Sequence, residues 1–155
     1  MPGLGEPSGP PRGRFTIRTA AVLFLLSAVI EVISITTPVP WFGALRSGAS
    51  IVLYHLAFVT MFLAMGVGLW TGVRWGYWSV FAGTAVYTAD KIRYVYDRPG
   101  RAAEIAAQIH SLAPEFDGQL DVNLLLALSG VMTLTFVLCW WGFAAYIYVR
   151  RGYFK

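Results

Sequence analysis

Apolar residues in this chain do not alternate with polar ones; they run on. Four stretches stand out, from about Phe15 to Ile35, Ala49 to Gly72, Trp75 to Tyr96 and Val122 to Val149. Each reaches the roughly 20 residues that a helix needs to cross a bilayer, at about 1.5 Å of rise per residue. Hydrocarbon offers backbone N–H and C=O groups no water, so spans of this length have to be helical. The pattern therefore predicts an all-α integral membrane protein, a four-transmembrane-helix bundle over 15–35, 49–72, 75–96 and 122–149. These spans and their connections make one membrane domain over 15–155.

The connections are uneven. Residues 71–76, TGVRWG, read as a tight turn, and residues 36–48, TTPVPWFGALRSG, as a medium loop with two prolines. Between the third and fourth spans, Ala102, Ile105, Ala106, Ile109, Leu112 and Ala113 recur at helical spacing. Pro99 suits a first helical turn and Pro114 ends the run. This predicts a short amphipathic helix over 99–113, outside the span and docked on the bundle. Residues 1–14 are rich in Pro and Gly without periodicity and read as a disordered cytoplasmic tail. The first stretch resembles a signal peptide only in Arg12 and Arg14. It is long, carries Glu31 near its far end and lacks a small-x-small cleavage site, so a retained helix is expected.

Charge sets the orientation. Arg12, Arg14, Arg18, Arg74, Arg150, Arg151 and Lys155 fall on one side of a four-span arrangement. Arg46, Lys91, Arg93, Arg98 and Arg101 fall on the other, with most of the acids. Basic residues favour the cytoplasm, so a multi-pass protein of the cell membrane with cytoplasmic N- and C-termini is predicted. Trp75, Tyr77, Trp78, Tyr153 and Phe154 supply interfacial aromatics at that face.

Composition agrees with the pattern. Of 155 residues, 57% are hydrophobic and 13% charged, against about 25% charged in soluble domains. The net charge of +4 comes from basic residues at segment ends, which are topology anchors rather than a nucleic-acid stripe. The single cysteine, Cys139, excludes a disulfide within the chain.

Ionisable groups inside spans are expensive and each needs a reason. Glu31, His55 and Asp90 each lie about four to six residues, roughly 6–9 Å, from the non-cytoplasmic end of their segments. Three helices thus bring an acid, an imidazole and an acid to one level. Ala20, Phe24, Ser27, Glu31 and Ser34 share a stripe, as do Gly76, Gly83, Tyr87, Asp90, Tyr94 and Asp97. Asn123, Ala127 and Gly130 form a third. Lipid cannot satisfy these groups, so the stripes should turn inward and the Glu31, His55 and Asp90 side chains should meet. Lys91 and Arg93 are expected to snorkel outward, and Asp97 to form an ordinary solvated pair with Arg101 or Arg93.

The candidate acid/base residues are therefore Glu31, His55 and Asp90, and the candidate ligand-binding residues are Glu31, His55, Tyr87, Asp90, Tyr94 and Asn123. No metal site is expected, because the ligand types come one per helix without H-x-x-x-H or E-x-x-H spacing. No cofactor is expected, because phosphate-loop, dinucleotide, nucleophile-elbow and C-x-x-C motifs are missing. The leading reading is a non-catalytic subunit, or a bundle binding a lipophilic ligand, with the polar cluster as an internal lock. One alternative is a membrane-embedded acid/base enzyme, an isomerase or hydrolase, acting on an apolar substrate. A second is a small proton-coupled transporter that needs to oligomerise. The implied partners are the lipid bilayer, a lipophilic small molecule, and a further copy of the chain or another subunit.

Overall fold

The computed structural model describes residues 13–112 and 120–155. It is almost entirely helical: α1 (Arg14–Ile33), α2 (Ala49–Thr71), α3 (Arg74–Tyr96), α4 (Arg98–Leu112) and α5 (Val122–Val149). Among the described residues three helices, α1, α2 and α5, are long and apolar enough to cross a membrane. α3 has the length, at 23 residues, but not the composition. Its aliphatics are diluted by Trp75, Tyr77, Trp78, glycines and threonines, and its end carries Asp90, Lys91 and Arg93.

Glycine sets the turn between α2 and α3. Gly72 ends α2 in the left-handed region (φ 68), donating its N–H to Gly68 O at 3.1 Å. One turn to either side, Gly68 and Gly76 bring the two backbones into direct contact. A methyl group on either glycine would strike the backbone of the other. The close approach therefore depends on the missing side chains.

Residues 36–48, expected as a loop, contain a hairpin instead. β1 (Val39–Trp41) pairs antiparallel with β2 (Ala44–Arg46), with Trp41 opposite Ala44. Phe42 (φ 50) and Gly43 (φ 83) make the two-residue turn, both in the left-handed region that a type I′ hairpin requires. Phenylalanine is an unusual first turn residue, which hides the hairpin from a search for Asn-Gly or Asp-Gly.

α1 packs on α2, α2 on α3, and α3 on α5, while α4 folds back over the hairpin and the start of α5. Two apolar clusters hold this together. Ile17, Met65, Leu69, Val80 and Ile147, from four helices, are fully buried away from the hairpin. Ala28, Phe58 and Phe62 form a second cluster nearer the hairpin, with Phe24, Tyr54, Tyr87 and Trp140 against it. The 99–113 amphipathic helix is α4, docked as expected, though residue 113 lies outside the described residues. The expected tail over 1–14 falls almost wholly outside them as well; Arg14 begins α1.

Candidate functional site

At the hairpin end the helices leave a polar cleft of about 250 Å³. Glu31 reaches it from the last turns of α1, Tyr54 and His55 from the second turn of α2, and Asp90, Lys91, Arg93 and Tyr94 from the end of α3. The hairpin supplies one wall through Val39 and Pro40, and α4 supplies Glu104.

Glu31 and His55 make the tightest contact. His55 Nδ1 donates to Glu31 Oε2 at 2.7 Å, and Nε2 faces the Thr37 carbonyl at 3.3 Å. Both ring nitrogens thus lie within hydrogen-bonding distance of an oxygen atom. The His55 side chain is 7% exposed, so neither nitrogen is left for solvent.

Asp90 belongs to a separate group. Tyr54 Oη donates to its Oδ2 at 3.1 Å, Lys91 Nζ lies 3.1 Å from the same oxygen, and Arg93 Nη2 donates to Oδ1 at 3.0 Å. The Asp90 side chain is only 9% exposed. A carboxylate buried that far needs counter-charge, and Lys91 and Arg93 provide it. They turn back on Asp90 rather than snorkelling outward. Arg93 also donates Nη1 to Pro40 O at 3.0 Å and lies over the Trp41 ring at 4.6 Å, which pins the hairpin to α3. Glu31, His55 and Asp90 therefore line one cleft, but as two hydrogen-bonded groups rather than one triad.

The other candidates divide. Tyr94 lines the cleft and donates its hydroxyl to Glu104 Oε2 at 2.8 Å, tying α3 to α4. Tyr87 lies deeper, stacked on Trp140 at 4.2 Å with 2° between the rings, with Lys91 Nζ 5.2 Å from its centroid. Asn123 is outside the cleft, exposed, and accepts a hydrogen bond from Arg98 at 2.9 Å. Asp97 does not form a solvated pair with Arg101 or Arg93. Its Oδ1 accepts the N–H groups of Gly43 at 2.9 Å and Gly100 at 3.1 Å, clasping the hairpin turn and capping α4.

Three important residues carry no clear sequence signal. Tyr54 is one tyrosine among eight, and Glu104 sits on a helix outside the long apolar runs. Arg101 is 6% exposed. It donates Nη1 to Leu126 O (3.0 Å) and Ser129 Oγ (3.1 Å), and Nη2 to Val95 O (2.9 Å). It bolts α4 to both α3 and α5, with Gly130 leaving room for the guanidinium. The available hint is the Ser129–Gly130 step, a pair of small residues near the start of α5.

Chemically the cleft offers hydrogen-bond donors and acceptors of both charge signs, with the Tyr54 and Tyr94 rings in its lining. Among the described residues no three of His, Cys, Asp and Glu gather closely enough to hold a metal ion. No family model, curated protein or solved structure matches the chain.

Proposed function

We propose that the chain is a four-span integral membrane protein of the cell membrane, with both termini cytoplasmic. In this reading it acts without catalysis, holding the polar end of a lipophilic molecule in the outer cleft. The direction of α3 supports the fourth span. α3 leaves the turn at Gly72 and ends beside the hairpin, so it returns over the length that α2 covers. At its charged end Asp90 pairs internally with both Lys91 and Arg93. Arg14 and Lys155 border one groove at the opposite end, which supports termini on a common side. The excess of Lys and Arg at that end supports a cytoplasmic assignment. Lipid, or a second copy of the chain, covers the exposed aliphatic faces of α1 and α5.

The observation that carries the ligand reading is the polar cleft itself, bordered by the hairpin, by Glu104 of α4 and by the Tyr54 and Tyr94 rings. Glu31 and Glu104 each have one carboxylate oxygen engaged, leaving acceptors for a donor-bearing head group. A second groove of about 320 Å³ continues from Thr37, Pro38 and Glu104 along Leu45 and Ala107 beneath α4, giving an apolar tail a path. The two contacts of His55 argue against a free acid/base in the cleft, which favours binding over catalysis.

Extraction of the protein in mild detergent, followed by mass spectrometry of what it retains, tests the proposal. A lipophilic species enriched over bulk membrane lipid, and depleted in Glu104→Gln, is expected. Retained material identical to bulk lipid in both proteins would contradict it.

A further inference from the structure

Charge in this molecule is separated by end. The described carboxylates, Glu31, Asp90, Asp97, Glu104 and Asp121, lie in the cleft, beside the hairpin or at the start of α5. The described ion pairs are there too. The opposite end holds Arg14, Arg18, Arg74, Arg150, Arg151 and Lys155, with no acid among the described residues. Gathering like charges is unfavourable where no acidic side chain among the described residues offsets them, and more so where side chains are partly withdrawn from water.

At that end a groove of about 280 Å³ opens between the start of α1, the end of α2 and the C-terminal segment. Arg14 and Arg18, one helical turn apart, form one wall, and Trp70, Gly72, Tyr153 and Lys155 complete it. The groove is built rather than incidental. Lys155 N–H donates to Gly72 O at 3.0 Å and Arg74 N–H donates to Lys155 O at 3.1 Å, so the last residues are clasped to the α2–α3 turn. The Arg18 guanidinium lies 5.1 Å from the centre of the Trp70 ring, which also lines the groove. Its Nε is buried and has no hydrogen-bond partner. Arg150 Nε, beside Gly13 at the start of α1, is also buried without a partner. α1 begins here with no side-chain cap at Gly13 and no acidic residue in its first turn, so its N-terminal N–H groups add positive potential.

We propose that this groove binds a phosphate group, either the head of an anionic phospholipid from the adjoining leaflet or free phosphate. Two arginines and a lysine supply charge-assisted donors matched to phosphate oxygens. Trp70 and Tyr153 give the flat amphipathic walls suited to the depth of lipid head groups. Basic pockets between helices on the cytoplasmic side recognise such head groups in this way.

The test uses the full chain in neutral detergent, with the melting temperature as readout. It is titrated with short-chain phosphatidylglycerol, with phosphatidylcholine of the same chains, and with inorganic phosphate. A saturable rise with phosphatidylglycerol and none with phosphatidylcholine is expected. Inorganic phosphate producing the rise identifies free phosphate as a source, and a rise with the lipid alone identifies the head group. Arg14→Gln and Arg18→Gln should each weaken half-saturation about tenfold. Arg46→Gln, which removes equal charge at the hairpin end, should leave it unchanged. Arg14 is exposed, so its variant keeps the test valid if the Arg18 variant fails to fold. No saturable response to either anion, or equal weakening by Arg46→Gln, would overturn the proposal.

Discussion

His55 Nδ1 stands 2.7 Å from Glu31 Oε2, joining the second turn of α2 to the last turns of α1 across 24 residues of sequence. Removing either partner leaves the other polar and largely buried. Glu31→Ala and His55→Ala should each destabilise the protein by about 2–3 kcal/mol in detergent. The double variant should cost little more than the worse single one, because both remove the same contact. Thermal or denaturant unfolding of the full cycle measures this. Additive losses would show that the residues act independently.

Asp90 is the shared anion for Lys91 and Arg93, and Arg93 in turn holds the hairpin. Asp90→Asn should lower the melting temperature by several degrees, since two partly buried cations lose their counter-charge. Arg93→Lys keeps the charge but cannot bond Asp90 and Pro40 together through a planar fork. It should raise hydrogen exchange at Trp41 and Ala44 while leaving the Gly68–Gly76 region unchanged.

Arg101 makes three hydrogen bonds to two neighbouring helices from a side chain almost without exposure. Arg101→Ala should cost about 3 kcal/mol and release α4, seen as faster amide exchange across Arg98–Leu112. Exchange in α2 should stay slow. Uniform acceleration through all helices would mean that α4 is not a separable roof.

The backbones of α2 and α3 meet at Gly68 and Gly76. Gly68→Ala or Gly76→Ala should force the helices apart and cost about 1–3 kcal/mol, as overpacking does. Gly142→Ala on α5, where an added methyl group meets nothing within 4 Å, should be neutral or slightly stabilising. Melting temperatures of the three variants compare them directly.

Long aliphatic runs declare α1, α2 and α5, because nothing but a helix satisfies their backbones in hydrocarbon. α3 is less legible, since its Trp, Tyr, Gly and charged residues fit a span only once Asp90 has found partners. Glu31 and His55 could be read as partners because each is a costly lone charge in an apolar run. The choice Asp90 makes among Glu31, His55, Lys91 and Arg93 depends on rotamers and on where the hairpin lies, which spacing does not encode. Glu104 and Arg101 were hidden for a related reason. They sit outside the long runs, and their roles exist only after α4 folds back. Asn123 lies outside the cleft, because a shared stripe with Ala127 and Gly130 says nothing about height relative to it.

The central proposal is that α3 crosses the membrane, so that the cleft shared by Asp90, Glu31 and His55 faces outward. Single cysteines at Phe42, Gln108 and Arg151, placed in a Cys139→Ala background, allow this to be read with a membrane-impermeant maleimide on intact cells. The expected result is that Phe42→Cys and Gln108→Cys react from outside, while Arg151→Cys reacts only after the membrane is opened. If Gln108→Cys is protected while Phe42→Cys reacts, α3 does not cross and the shared outer cleft is contradicted.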